Sequence, residues 1–418
     1  MAETFQPRRH IVVFSSLFPN SRQPCAGLFI RERMFRVGRE LPISVVSPTP
    51  WFPLQGLIRL VRPGFRAGAP VHEVQQGIHV WFPRFVSIPG ILKRLDGWAM
   101  ALAAWPRLRK LKRAARLDLI DAHFAYPDGY AAALLGRWLN VPVTITLRGT
   151  EVRHARDDSL APLLRTALRR ANRIFAVSES LRILAIELGT SPDKVRVIGN
   201  GVDLEKFKPI PRIEARRRLN LGMDTPVLIT VGALVERKGF HRVIELLPAL
   251  RERFPGLTYL IVGGASPEGD WTDRLKNQAA ALGLADAVRF LGAMPPEELR
   301  VPLSAANAFV LATRNEGRAN VLLEAMGCGL PIVATDVGGN AEVLVSSDLG
   351  ILVPFGDSVA LRRAIEEALT VRRDPIAIRA YAERNAWDQC VAILLKEFST
   401  LTRPVDEGNK RRAEAGHA

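Results

Sequence analysis

The 418-residue sequence is poor in cysteine: it has three, Cys25, Cys328 and Cys390, with no Cys-x-x-Cys pair and no histidine at ligand spacing. That excludes a disulfide framework and a finger-type zinc site, and it points to the reducing cytosol. Long apolar runs are also missing. Residues 11–18 are apolar but are cut off by Pro19 and Asn20, follow Glu3 and lack a small-residue cleavage site. The uncharged apolar segment at residues 98–106 is far short of the ~20 residues that span a bilayer. The chain is therefore expected to carry no signal peptide and no membrane span. Neither half opens with Gly-x-Gly-x-x-Gly after its first strand, which removes an NAD-dependent dehydrogenase. Acidic residues are scarce in one half only: residues 1–200 hold 14 Asp/Glu against 30 Lys/Arg, and the remainder is balanced at 28 each.

What is present is an ordinary globular composition, 48% hydrophobic and 24% charged. The length suits two folded units, each with its own core. The whole net charge of +16 lies in the first half. Charge alone leaves nucleic acid, anionic lipid and a phosphorylated substrate open as partners. A basic nucleic-acid-binding protein stays only a minor alternative, because no fold signature of that class appears and aromatics are not interleaved with the positive charge.

Short β-rich runs recur at residues 11–18, 43–46, 119–124, 143–147, 174–177 and 195–198, with helical Ala/Leu/Arg stretches between several of them. A second series follows at 227–231, 259–262, 288–291, 308–311, 332–334 and 351–353. Alternation of this kind predicts βαβ units and parallel sheets buried on both faces. Asn200-Gly201, Pro209 and Pro211 place a linker near residues 200–212. The expected fold is α/β, two Rossmann-like doubly wound domains facing across a cleft, with ligands at the carboxyl ends of the strands.

The segment from Ala308 to Pro331 reads strand, glycine-containing loop, helix and glycine stop. Asn320 is read as the N-cap. The amides of Val321 and Leu322 then point out of a helix start, where free donors and partial positive charge suit a diphosphate. Glu324 lies one turn further in, placed to accept from a ribose diol, and Glu316 hangs in the preceding loop. Taken alone, Glu324 is explained as well by an acidic first turn that complements the helix dipole. Two further stretches shift the balance. The run from Val231 to Gly239 follows a strand and brings Arg237 and Lys238 beside a glycine, which suits capture of a leaving diphosphate as well as it suits a solvated turn. The next strand ends in Gly263-Gly264, which allows close backbone approach.

In this order the residues resemble the retaining GT-B glycosyltransferases, specifically family four (group 1). The resemblance rests on the Glu-x7-Glu pair Glu316 and Glu324, on the Val-Gly-x5-Lys-Gly stretch that contains Gly232 and ends at Lys238-Gly239, on Val197-Ile-Gly-Asn-Gly-Val-Asp203 and on Val337-Gly-Gly-Asn-Ala-Glu342. The first half adds Phe18-Pro-Asn-Ser with Gly27, His123 in Ala-His-Phe-Ala-Tyr-Pro-Asp-Gly, and Arg148-Gly-Thr-Glu151. The likeness runs from Ile11 to about Leu401. It implies that Glu324 holds the nucleotide ribose and Glu316 the donor sugar, with Asn320, Val321, Leu322 and Lys238 facing the diphosphate. Gly232 and Gly263 would line the donor site, Gly27 would mark a loop closing over donor and acceptor, and His123 would sit at the reaction centre, as an acid/base or a positioning group. Many relatives have Arg after the glycine of the Val-Gly strand end, where this chain has Ala233, so phosphate capture falls on Lys238 with Arg237 or another arginine. In retaining members the acceptor attacks from the face the diphosphate leaves, so stabilising the departing charge replaces a protein nucleophile. No Asp-x-Asp stands at a donor-site strand end, and Asp157-Asp158 lies in a polar stretch of the other half. No essential metal and no cofactor are expected, the nucleotide-diphosphate sugar being a substrate.

The implied domains are residues 1–205 for the acceptor and 206–383 for the donor, with a C-terminal helix at 384–401 crossing back to the first domain and a flexible tail at 402–418. Residues 91–116 join Trp98 and Trp105 to a cluster of Arg and Lys, and the stretch 51–70 is unusually apolar for a connection. Trp with basic residues suits an anionic membrane surface, although a core-packed helix with a solvated end explains the tryptophans as well. A polyprenyl-diphosphate-linked glycan acceptor, peripheral attachment to the inner face of the cytoplasmic membrane and a role in bacterial cell-surface polysaccharide assembly are the resulting expectations. The competing enzyme reading is a two-lobed nucleotide-sugar 2-epimerase. A catalytically silent relative is disfavoured by the intact Glu316/Glu324 pair.

Overall fold

The computed structural model describes residues 9–402 except 25, 54, 62–67, 89 and 267. The expected tail from residue 403, and Leu54, Phe65 and Cys25, lie outside the described residues. The chain forms two compact units. Within the described residues, the first takes the chain up to Val177, then Leu181–Ile198, then the chain from Val391; the second takes Ser178–Ser180 and Gly199–Cys390.

Ten strands belong to the first unit: β1 (Ile11–Phe14), β2 (Ile43–Val46), β3 (Thr49–Trp51), β4 (His72–Gln75), β5 (Ile78–Trp81), β6 (Arg84–Val86), β7 (Leu119–His123), β8 (Val143–Leu147), β9 (Arg173–Ala176) and β10 (Val195–Val197). Eight form one sheet in the order β10-β9-β8-β7-β1-β2-β5-β4, parallel except for the β4–β5 hairpin, and β3 pairs with β6 separately. Strand order reverses between β1 and β7. One face of the central strands, with Ile120, Ala122, Val143 and Ile145, belongs to the apolar core. The alternate positions are Asp121 and His123 in β7 and Thr144 and Thr146 in β8, all buried. Period-2 alternation therefore puts a polar layer on the opposite face of a central, fully covered sheet.

The strand read over residues 11–18 stops at Phe14. There the amide and hydroxyl of Ser16 turn to the Asp128 carboxylate, so the backbone leaves the ladder. The stretch read as a connection over residues 51–70 holds the end of β3 and a helix at Gln55–Val61. On the helix Asp96–Arg113, Trp98 and Trp105 both pack against Trp138, with Trp98 still 43% exposed.

The second unit holds β11 (Val227–Val231), β12 (Thr258–Val262), β13 (Val288–Gly292), β14 (Ala308–Leu311), β15 (Ile332–Thr335) and β16 (Gly350–Val353). They form one parallel sheet ordered β13-β12-β11-β14-β15-β16. Counted within the unit this is 3-2-1-4-5-6, the doubly wound order, with its switch point between β11 and β14. Ile229, Leu260, Phe309 and Ile332 pack into one core, and Leu228, Ile261, Val310 and Val333 into the other. Both faces are thus apolar, as a parallel sheet requires.

The unit boundaries fall earlier and later in the chain than the sequence reading, at 198/199 and 390/391 instead of 205/206 and 383/384. Backbone hydrogen bonding is the reason: the Val202 amide donates to the Asn385 carbonyl, and Val202 bridges Ala386, which ties both flanking segments into the second unit. The last helix, Trp387–Leu401, sets Glu397 2.8 Å from Arg173 and Phe398 edge-on to Phe175 in the first unit.

Candidate active site

The second unit gathers its predicted residues at its switch point, where β11 and β14 both end and their loops diverge. The loop after β11 closes in a short turn over Glu236–Lys238, and Gly239 follows at φ 77°, where a Cβ would come within 1.9 Å of the Ala312 carbonyl. Only glycine fits there, and the close approach presses Lys238 against the end of β14. Next to it, Gly263 at the end of β12 lies over the Gly232 carbonyl, where a Cβ would stand 1.8 Å away. The floor formed by Gly232 and Gly263 is bare backbone.

Lys238 Nζ donates to Glu316 Oε1 at 2.6 Å, with side chains 14% and 10% exposed. Thr313 Oγ1 lies 3.2 Å from the same carboxylate oxygen and 3.0 Å from the Arg237 carbonyl, which also accepts from the Arg314 amide at 2.7 Å. The two loops are thereby laced together. Arg237 is differently placed. Its Nε and Nη2 grip both oxygens of Glu268 at 2.6 and 2.8 Å, and Nη1 reaches Glu316 only at 3.5 Å. Those Glu268 bonds hold the guanidinium above its ordinary pKa. Lys238 is the cation whose ammonium sits at the switch point.

The helix after β14 runs Asn320–Gly327. Asn320 is not its N-cap: Ala319 holds that position without a side-chain cap, and Asn320 is the first helical residue. The reason is a competing partner, since Asn320 Oδ1 accepts from Asn200 Nδ2 at 3.1 Å. The Leu322 amide is bound to the Ala319 carbonyl at 3.1 Å, leaving Asn320 and Val321 to open the helix. Arg318, just before them, lies against Gly199 and donates from Nη2 to Asn385 Oδ1 at 3.3 Å. Sequence reasoning missed Thr313 and Arg318; the only signal was their place in the loop flanking Glu316.

A separate polar cluster occupies the first unit at its own switch point. His123 ends β7 and is wholly buried. Arg148 Nε and Nη2 lie 3.2 and 3.0 Å from its Nδ1, while Nε2 stands 3.3 Å from Asp121 Oδ2. Burial, helped by the Arg148 charge, outweighs Asp121 and brings the imidazole down to about 4. Burial pushes the Asp121 carboxyl up, but His123, Thr144 and Arg33 together leave it below its usual value. At neutral pH the pair is a neutral imidazole beside a carboxylate, so His123 has no proton to give as an imidazolium.

Glu151 accepts from the amides of Ala125, Arg148 and Gly149 at 3.0, 3.0 and 2.8 Å, fixing the loops after β7 and β8 to each other. Asp128 accepts from Ser16, and burial pushes its carboxyl up to about 7 against those bonds. Gly27 precedes the helix Leu28–Glu40 in left-handed conformation. Sequence reading had named His123, Arg148, Glu151 and Gly27. Asp128 stands in the quoted His123 motif without a role assigned to it, and Asp121 and Arg33 look like ordinary strand and surface-helix residues in the linear chain.

Among the described residues no helix is long and apolar enough to cross a membrane. Residues 211–385 match the family model for glycosyl transferases group 1, and residues 59–206 match that for glycosyltransferase family 4. A Bacillus subtilis glycosyltransferase named for teichuronic acid biosynthesis, TuaC, is 27% identical over 96% of both chains. The D-inositol 3-phosphate glycosyltransferase of Corynebacterium urealyticum is 30% identical over 72% of this chain and 76% of its own. In fold, Anabaena HepE, solved with UDP, superposes with a TM-score of 0.70 at 21% identity over 94% of this chain and 100% of that one. The sucrose-phosphate synthase of Thermosynechococcus elongatus gives 0.73 at 21% identity, over 94% of this chain and 99% of that one. With both halves matched, a relative of this likeness and two parallel-sheet α/β domains of the shared architecture, the chain belongs to the GT-B glycosyltransferases.

Proposed function

We propose that the protein is a retaining glycosyltransferase that moves a sugar from a nucleotide-diphosphate sugar to a glycan or lipid-linked acceptor in bacterial cell-surface polysaccharide assembly. The observation that carries this reading is the Lys238–Glu316 contact at the switch point of a doubly wound sheet, beside the helix start at Asn320 and one turn before Glu324. A cation and helix amides at that position suit a diphosphate, and Glu316 holds Lys238 in place until one arrives. The second unit takes the donor, with Glu324 toward the ribose and Glu316 toward the sugar. The first unit takes the acceptor, with His123 as a positioning group. Lys238 and the amides of Asn320 and Val321 stabilise the departing diphosphate, so no essential metal is needed and turnover persists in a chelator. The names of the relatives, a teichuronic acid biosynthesis glycosyltransferase and a D-inositol 3-phosphate glycosyltransferase, and the UDP bound by HepE lend support.

Peripheral attachment to the inner face of the cytoplasmic membrane, and a polyprenyl-diphosphate-linked acceptor, belong to the same proposal. Leu95, Trp98 and Leu102 form one exposed apolar stripe at i, i+3 and i+7 that leads into exposed Arg109, Lys110, Lys112 and Arg113. Apolar anchors followed by a basic cluster suit an anionic lipid surface.

A thermal-shift series with UDP-, GDP- and ADP-sugars identifies the donor, since a ligand of the folded state raises the melting temperature. Transfer of labelled sugar with retained anomeric configuration then tests the reaction. Stability unchanged by every sugar nucleotide, or isomerised donor formed without acceptor, refutes the assignment.

A further inference from the structure

The cluster around His123 holds several buried polar atoms that make no hydrogen bond within the protein. Arg148 brings only donors to Nδ1, so Nδ1 is the accepting nitrogen and a neutral ring carries its proton on Nε2. That Nε2 faces Asp121 Oδ2 at 3.3 Å but makes no aligned hydrogen bond, while Asp121 Oδ1 is fixed by Thr144 Oγ1 at 2.6 Å. Thr146, the register partner of His123, has a buried hydroxyl without a partner. Arg33, from the helix Leu28–Glu40, is 0% exposed, and none of its three side-chain nitrogens is hydrogen-bonded.

The Arg33 charge acts on both Asp121 and His123. A buried guanidinium calls for a counter-charge or solvating groups, and Asp121 is a carboxylate on which its charge acts without a direct hydrogen bond. Buried polar atoms left open in this way are the usual seats of ordered water. The other acids of the neighbouring loops are committed, Glu151 to three backbone amides and Asp128 to Ser16.

We propose that Asp121, Arg33 and Arg148 are positioning residues that lock His123 as a neutral imidazole protonated on Nε2, with ordered water joining Nε2, Thr146 and Arg33. This rests on the reading of His123 as a positioning group and gives the means by which it holds one geometry through turnover. Arg148 fixes the accepting nitrogen. Asp121, 3.3 Å from the proton-bearing nitrogen, favours that tautomer by its negative charge. Arg33 adds its charge to the larger contributions of His123 and Thr144 that keep the Asp121 carboxyl below its usual value.

Long-range proton–nitrogen correlation on the full chain, with its seven histidines labelled, tests the lock. The His123 signal is the one lost in His123→Gln. We expect an Nε2–H pattern that stays constant from about pH 5.5 to 8, where an ordinary imidazole titrates. Arg148→Met is expected to give a mixed tautomer and Arg148→Lys to restore the single one, with Asp121→Asn broadening the Nε2–H resonance. In a transfer assay, Arg148→Met and Asp121→Asn are expected to lower kcat about tenfold with donor KM changed less than threefold, the mark of lost positioning. A wild-type His123 that titrates between about pH 6 and 7, or that carries its proton on Nδ1, overturns the proposal without need of any variant. An intact lock in a protein that transfers no sugar upholds it and refutes the proposed reaction instead.

Discussion

Removing either partner of the Lys238–Glu316 contact tests the donor site directly, because the pair should be strong in the ligand-free enzyme and weak once a diphosphate is bound. At 2.6 Å and an effective dielectric of about 20 the gross attraction is about 6 kcal/mol. Most of this is offset by desolvating two side chains that are 14% and 10% exposed. Arg237 at 3.5 Å partly replaces a lost Lys238. A net coupling of about 1–3 kcal/mol is therefore expected from the cycle Lys238→Met, Glu316→Gln and the double variant. Native-state hydrogen exchange of the β11 and β14 amides reads the opening free energy of the second unit in all four proteins. Repeating the cycle at saturating nucleotide sugar should bring the coupling below about 0.5 kcal/mol, within the error of simple additivity, since Lys238 then faces phosphate. A coupling that is absent without ligand, or undiminished with it, refutes the role given to Lys238.

The other predictions concern kinetics, pH and the surface. Glu324→Ala is expected to raise donor KM with kcat nearly kept, and Glu316→Ala to depress kcat, measured by steady-state transfer. Asp128 has a folded-state pKa raised to about 7, so the native protein binds the extra proton. The resulting stabilisation is complete below about pH 4 and is lost as pH rises to about 7, by a few kcal/mol at most. His123, depressed to about 4, acts with opposite sign between about pH 4 and 6.5, so the two partly cancel in the wild type. Asp128→Asn should therefore leave a stability that rises with pH across that interval, in denaturant titrations at stepped pH. Leu102→Glu, which leaves the Trp98–Trp138 packing intact, should sharply reduce sedimentation with anionic vesicles while changing stability by less than about 1 kcal/mol, because Leu102 is 62% exposed.

The repeating apolar runs determined most of the architecture, because short β-rich runs that alternate with helical stretches fit parallel βαβ units buried on both faces. The helix after β14 was legible in its motif, and Lys238 and Glu316, named from their motifs, meet at the end of β14, since glycine spacing and helix starts are properties of neighbouring residues. Other features depended on residues distant in the chain. Asn320 reads as a cap until Asn200, 120 positions earlier, takes its side-chain oxygen. Arg237 and Lys238 are adjacent and equally basic, and only the place of Glu268 and Glu316 after folding gives one to a surface ion pair and the other to the switch point. Asp121 and Arg33 look unremarkable in sequence; strand register and one helix bury them around His123. Hydrogen bonds and desolvation depend on which groups meet in space, so the motifs named His123, Arg148 and Glu151 but only tertiary structure decided which partners each of them has.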